Sequence, residues 1–392
     1  MTRLLMLVHA RVGAAAVLRA QALARWLAPR GYQITIIVGR ATPGLGSIRT
    51  PIAGAERREM PDILPARLRG GGLSPMDLAG RARHVLQVRY DIVHAFEPRP
   101  ATVGPALLSR RRWGSAYVAE CDDLWGAEGI AATRPLAWRA TLGRFDDAME
   151  HFVWKQADAA SAPTTELVNR IRRAGLPEDR IALVSVGADF EQIRPLPKGP
   201  MRSELGVPSE ADVVVHVGST DYDQALLAET FLALARLNPG AFLLMSGGRL
   251  PAVERRLAQA GLHGRWRHMG FVPFDQVERV LACADVALMP YSDRPLNRGR
   301  FPGRFGDYLA SGRPIVTNPT GDAGRIVVEE GVGLAAPEEP AAFASVVQTL
   351  LRDPRRREEM GKRARRLAET RYSWRVMAEK LDALFRSVLV SR

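Results

Sequence analysis

Short apolar runs alternate with amphipathic stretches along the whole chain. LLMLVH leads through Gly13 into VLRAQALARWLAPRG, where Leu18, Leu23 and Leu27 are expected to share one helix face and Gly31 to end the helix. YQITIIVG follows, then a helix over about 76–90, DIVHAF, AYVAEC, a helix over about 144–157 and AASAP. The rhythm then restarts: DVVVHVG, the helical ALLAETFLALARLNPG, AFLLMSGG, a helix near 252–260, WRHMGFV, a helix near 275–282, DVALMPY, a helix within Asn297–Asp322, PIVTNP and GVGLAA. Alternating strand and helix predicts an α/β class with parallel sheets and right-handed crossovers. The restart predicts two doubly wound domains, residues 1–195 and 196–370, followed by a final helix over 371–392. Pro195, Pro197, Gly199 and Pro200 crowd the join as a linker would. Ligands are expected in a cleft outside the carboxyl ends of the strands.

Composition narrows the class. At 392 residues the chain exceeds what one core usually serves, and 46% hydrophobic with 25% charged residues describes a soluble globular protein. No apolar run approaches the roughly 18 residues of a membrane span, which points to the cytoplasm. Cys121 and Cys283 sit far apart in apolar contexts, suiting buried thiols better than a disulfide. The net charge is +13, yet the basic residues are almost all arginine and are spread over both halves, with no nucleic-acid-binding motif beside them. Nucleic acid is therefore set aside. A basic surface fits a phosphorylated substrate or the anionic inner face of the membrane, with simple solubility as the plain alternative. PDILPARLRGGGL (Pro61–Leu73) mixes Ile63, Leu64 and Leu68 with Arg67 and Arg69, either as an interfacial segment or as a loop.

The chemistry is expected in the loops after the strands. His9 to Gly13, Glu97 to Pro100, and Asp122 with Asp123 follow strands of the first half. Gly218 to Asp221, Gly247, Gly248, Gly270 to Pro273 and the run NRGRFPGRFGD follow strands of the second. Glycine there lets a backbone approach phosphate oxygens closely, though it is equally a turn residue. No G-x-G-x-x-G follows the first strand, which disfavours a dinucleotide-dependent dehydrogenase. The histidines form no cluster with metal spacing, so no metal site and no cofactor are expected.

Several passages together resemble family 4 (group 1) glycosyltransferases of the GT-B fold. They are ADAASAPTTELVNRIRRAGLPEDRIALVSVGADFEQIRP, with Val186, Gly187, Ala188 and Asp189 in place of an N-G-V-D element, then LLMSGG, WRHMGFVPFDQVERVLACADVALMPY, FPGRFGDYLASGRPIVTNPTGDAGRIVVEEGVGLAA and the terminal RYSWRVMAEKLDALFRSVL. The resemblance implies two Rossmann-like domains facing a cleft, an N-terminal acceptor domain, a C-terminal donor domain, and a last helix that crosses back to the first. It implies a nucleotide diphosphate sugar, UDP- or GDP-linked, as co-substrate.

In the family a pair of acids eight residues apart flanks the donor loop. Asp307 matches the second, which holds the ribose hydroxyls, and Gly299 stands where the first would be. The family's Arg and Lys after the strand matching DVVVHVG are absent from GSTDYDQALL, so Arg300 and Arg304 become the candidates for the diphosphate, or else cover a helix surface. Gly13, Gly218, Ser219, Gly247, Phe271, Val272, Pro302 and Gly303 complete the expected donor contacts.

On the acceptor side Asp122, Asp123 and Glu97 are candidates to accept the hydroxyl proton, with helix capping the alternative for the aspartates. His94 is either catalytic or a packed strand residue, since Phe96 replaces the second histidine of the family's H-x-H. His9 and Arg19 are candidates for acceptor binding, Arg19 otherwise being solvated helix surface. The implied reaction is a metal-free, retaining transfer of a sugar to a small-molecule, lipid-linked or glycan hydroxyl, in making a polysaccharide, glycolipid or glycosylated metabolite. A degenerate partner subunit and a sugar-nucleotide epimerase of similar fold are the alternatives.

Overall fold

A computed structural model of the chain describes residues 1–65, 72–136, 139–218 and 223–391. The chain forms two compact units, Met1–Val186 with Trp374–Arg392, and Gly187–Ser373.

The first unit is built on eight strands: β1 (Thr2–Arg11), β2 (Tyr32–Gly39), β3 (Ile48–Ile52), β4 (Ala55–Glu59), β5 (Ile92–Phe96), β6 (Ala116–Glu120), β7 (Ala159–Ala162) and β8 (Ile181–Leu183), in the order β3-β4-β2-β1-β5-β6-β7-β8. All pairs are parallel except β3 with β4. Leu4 to Val8 are fully buried, because β1 is central and covered on both faces, where a parallel strand reads as a continuous apolar run. The first helix, Ala15–Leu27, buries Val17, Ala20, Leu23, Ala24 and Leu27. Leu18 is 53% exposed, so the face expected from Leu18, Leu23 and Leu27 is corrected: five residues along a helix turn Leu18 about 140° from Leu23.

The last helix, Trp374–Val390, belongs to this unit, burying Met377, Leu381 and Phe385. Tyr32 donates its hydroxyl to Asp382 at 2.7 Å, and Phe385 meets the rings of Tyr32 and His94 edge-on.

The second unit holds β9 (Asp212–Val217), β10 (Ala241–Ser246), β11 (Trp266–His268), β12 (Val286–Met289), β13 (Ile315–Thr317) and β14 (Gly333–Ala335), all parallel, in the order β11-β10-β9-β12-β13-β14. The expected linker is stitched into this unit: Arg365 donates to the carbonyls of Phe190, Ile193 and Ala310, and Arg313 to that of Leu196. The units therefore divide at Val186 and Gly187, ahead of the proline-rich stretch.

Strand order locates the crevices. β1 leads to β2 on one side while β5 leads to β6 on the other, and β9 and β12 diverge in the same way. Each pair marks a switch point whose carboxyl ends leave room for a ligand. Among the described residues no helix is long and apolar enough to cross a membrane. Cys121 and Cys283 are buried, unbridged thiols. Arg67, Leu68 and Arg69 lie outside the described residues.

Candidate active site

In the second unit β9 and β12 pair only through Val214–Val286 and Val215–Ala287. Beyond that point a side chain takes over the hydrogen bonding. Tyr308, fully buried on the helix Arg304–Ala310, accepts from the Val217 amide at 3.0 Å and donates to the Leu288 carbonyl at 3.2 Å. The same helix carries Arg304 one turn earlier. Its Nη1 donates to the Val217 carbonyl at 3.0 Å and lies 2.8 Å from His216 Nε2, so the guanidinium rests on the carboxyl end of β9.

The helix expected within Asn297–Asp322 is Arg304–Ala310, and Phe301-Pro302-Gly303 separates it from a short additional helix, Pro295–Gly299. Phe301 and Pro302 are buried, the former against Phe305 and Tyr372, while Gly303 is exposed. Arg300 is half-buried between the helices, and its carbonyl accepts from the Tyr291 hydroxyl at 3.3 Å.

Beside Arg304 the rim of the crevice is bare backbone. A Cβ on Gly247, whose φ is +118°, would fall 2.7 Å from Gly218 Cα, and one on Gly218 would fall 3.8 Å from Arg304 Nη1. A side chain on Gly247 is thus excluded by the Gly218 backbone, and the φ of +93° at Gly218 favours glycine there. The half-buried Asp307 follows Arg304 by one turn; burial and then the neighbouring Asp189 push its carboxyl up to about 7, against the pull of Arg304. Asp189 is brought there because Gly187 and Ala188 pack on Gly306, where a Cβ would sit 2.8 Å from the Gly187 carbonyl oxygen. Phe271 stands 85% exposed after β11, with Val272 half-buried. Ser219 lies outside the described residues.

Sequence reasoning missed His216, Tyr308 and Asp223. The buried Asp223 carboxylate gathers the hydroxyl and amide of Ser292, the Asn297 amide at 3.2 Å and Arg294 at 3.4 Å, tying the loop after β12 to the loop after β9. A polar residue at the end of an otherwise apolar strand was the available signal for His216.

In the first unit the β1 and β5 ends bring His9 and Glu97 together with the loop after β6. Glu97 has φ of 69°, the one left-handed non-glycine among the described residues. Its Oε1 accepts from the Asp122 amide at 3.3 Å and its other oxygen from the Trp125 indole, while its carbonyl accepts from the Thr102 hydroxyl at 2.6 Å. Burial, then the Asp122 and Asp123 carboxylates, hold the Glu97 carboxyl well above the usual range. Backbone strain and desolvation thus meet in one residue.

The His9 ring meets Trp125 edge-on at 5.4 Å, and its Nδ1 is buried with no partner among the described residues. Burial, with Arg99 and Arg81, lowers His9 to about 3, so the imidazole is neutral. Asp122 lies 3.0 Å from Arg19 Nε; burial nonetheless raises its carboxyl well above normal, Glu120 adding to the effect and Arg19 opposing it. Asp123 is half-buried, and its carbonyl accepts from the Cys121 thiol at 2.9 Å. Gly13 is exposed in the turn before the first helix.

Arg19 is not at a surface. It is 4% exposed and occupied by Glu120 Oε1 and the carbonyls of Ser185 and Val184. His94 is likewise sealed, its Nε2 3.0 Å from Glu120 and its ring against Phe96 and Phe385. Both pack around Glu120, whose carboxyl Arg19 and His94 hold below the usual range although burial alone would raise it.

The model of the glycosyl transferase 4-like domain matches residues 14–187, and that of the glycosyl transferases group 1 matches residues 211–353. The chain is a group 1 glycosyltransferase of GT-B fold. Among curated relatives, this glycosyltransferase is 27% identical to the D-inositol 3-phosphate glycosyltransferase of Nocardia farcinica over 91% of the chain and 80% of the relative. It is 25% identical to the alpha-maltose-1-phosphate synthase of Mycolicibacterium smegmatis over 61% and 66%. In fold it is similar to sucrose-phosphate synthase from Thermosynechococcus elongatus, with TM-score 0.81, 17% identity and full coverage of both chains. It is also similar to Anabaena HepE in complex with UDP and glucose, with TM-score 0.75 and 16% identity over 99% of this chain and 100% of that one.

Proposed function

We propose that this glycosyltransferase moves a sugar from a nucleoside diphosphate, UDP or GDP, to an acceptor hydroxyl with retention at the anomeric carbon, guanidinium groups rather than a metal ion balancing the departing diphosphate. One observation carries the reading: Arg304 and Asp307, a helical turn apart, stand at the β9–β12 switch point beside the bare backbone of Gly218 and Gly247. Charge grows on the diphosphate as the sugar leaves, and a guanidinium fixed in advance stabilises it without reorganisation. Arg300 supplies a second cation. Asp307, once ionised, accepts two ribose hydroxyls.

Acceptor chemistry falls to the first unit in this reading. Glu97, Asp122, Asp123 and His9 offer groups to bind the incoming hydroxyl, with a carboxylate to take its proton. Two of the relatives act, by their names, on or toward phosphorylated small molecules, D-inositol 3-phosphate and maltose 1-phosphate. A phosphorylated polyol or sugar is accordingly the first acceptor class to try, and a formal charge of +13 suits it.

Titration calorimetry with UDP and GDP tests the donor site. Binding should be measurable and should weaken at least tenfold in Arg304→Ala and in Asp307→Ala. Unchanged affinity in both variants removes the assignment.

A further inference from the structure

We propose that His216 is a positioning residue for Arg304, a singly protonated imidazole that holds the guanidinium at the carboxyl end of β9 where a diphosphate would meet it. The inference rests on the donor-site reading above.

His216 is fully buried in a strand whose neighbours Val213, Val214, Val215 and Val217 are apolar. Its Nδ1 is 3.1 Å from the Leu288 carbonyl oxygen and its Nε2 is 2.8 Å from Arg304 Nη1. A carbonyl only accepts and a guanidinium only donates, so one tautomer satisfies both neighbours: hydrogen on Nδ1, lone pair on Nε2. The ring therefore bridges β12 to Arg304. A second proton would set N–H against N–H beside a permanent cation.

The Val217 carbonyl takes a hydrogen bond from the same Nη1 at 3.0 Å, so consecutive residues of β9 provide two acceptors for one guanidinium nitrogen. A long side chain loses rotamer freedom when it binds a ligand, and prior fixation removes part of that cost. An apolar residue in place of His216 would remove one of these two acceptors.

Two variants split the two ring nitrogens. His216→Gln can place an acceptor near the Nε2 position, whereas His216→Asn can keep a donor toward Leu288 and leaves the Nε2 position empty. Calorimetry with UDP on the full chain should show the Gln variant within about threefold of wild type and the Asn variant weakened roughly tenfold, with uridine affinity changed in neither. Nitrogen-15 spectra of histidine-labelled wild type should show a pyridine-like Nε2 and a protonated Nδ1, a readout that needs no variant to fold.

An Nε2–H tautomer, or equal UDP affinity in the Asn variant and wild type, overturns the proposal. Arg304→Ala separates the two levels. If it binds UDP as wild type does, the role of Arg304 in the donor site itself falls. If it binds weakly while both His216 variants bind normally, only the positioning role falls.

Discussion

Arg19 Nε meets Glu120 Oε1 at 2.5 Å, both side chains sealed from solvent, with Asp122 3.0 Å from the same nitrogen. Removing the cation leaves the buried Glu120 carboxylate with only His94 and the Ser161 hydroxyl, a change that costs up to about 3–5 kcal/mol. Arg19→Ala should therefore lower the urea midpoint sharply, and Arg19→Met should recover only the packing part. UDP affinity per folded molecule should be unaltered. A raised acceptor KM with normal stability would instead return Arg19 to the acceptor site.

Gly306 is the contact through which Asp189 is placed near Asp307. A methyl there would sit 2.8 Å from the Gly187 carbonyl oxygen and 3.1 Å from Ala188 Cα, both backbone atoms with little room to retreat. Gly306→Ala should cost about 1–3 kcal/mol and displace the helix that carries Arg304, Asp307 and Tyr308. Weakened UDP binding in a folded Gly306→Ala protein is the expected result, read by calorimetry beside a thermal melt.

The doubly wound architecture was legible because parallel strands leave long apolar signatures: LLMLV and DVVVHV, the cores of β1 and β9, could be read directly. The antiparallel edge hairpin of β3 and β4 was not, since IRTPI and AERRE are half-exposed and carry no alternation. Arg304 and Asp307 were visible as charges in a glycine-rich run. The contact of Arg304 with His216 was not, because the two lie 88 residues apart and meet only beyond the last paired residues of β9 and β12. Arg19 misled for a related reason: helical spacing places it, but only β6 supplies the carboxylate that draws it inward.

Asp307 makes a pH prediction. Burial and Asp189 raise its carboxyl from 3.8 to about 7. Between those values the folded protein keeps a proton that the unfolded chain has released, so stability falls as pH rises across that window, and the full penalty applies above it. Asp307→Asn cannot ionise and escapes the penalty. Its melting temperature should exceed wild type at pH 8, by about 2–4 °C for each kcal/mol relieved, and match it near pH 4. Partial exposure of Asp307 keeps the gain at the modest end. Equal melting temperatures at both pH values would show that the carboxylate is solvated in the fold.

Glu97 supplies the test of the acceptor side. Its left-handed backbone costs about 1–3 kcal/mol, and its carboxyl is desolvated beside two aspartates. Glu97→Gln keeps an oxygen for the Trp125 indole and removes the acid. Because the raised carboxyl is a burden that grows as pH rises above the ordinary value of 4.5, the variant should match wild type near pH 4 and become the more stable of the two as pH rises from there. UDP affinity should not change, since the nucleotide is assigned to the other unit. Transfer should fall by about 10²-fold or more if Glu97 takes the acceptor's proton. Full activity in Glu97→Gln would move that role to Asp122 or Asp123, whose Asn variants then become the deciding pair.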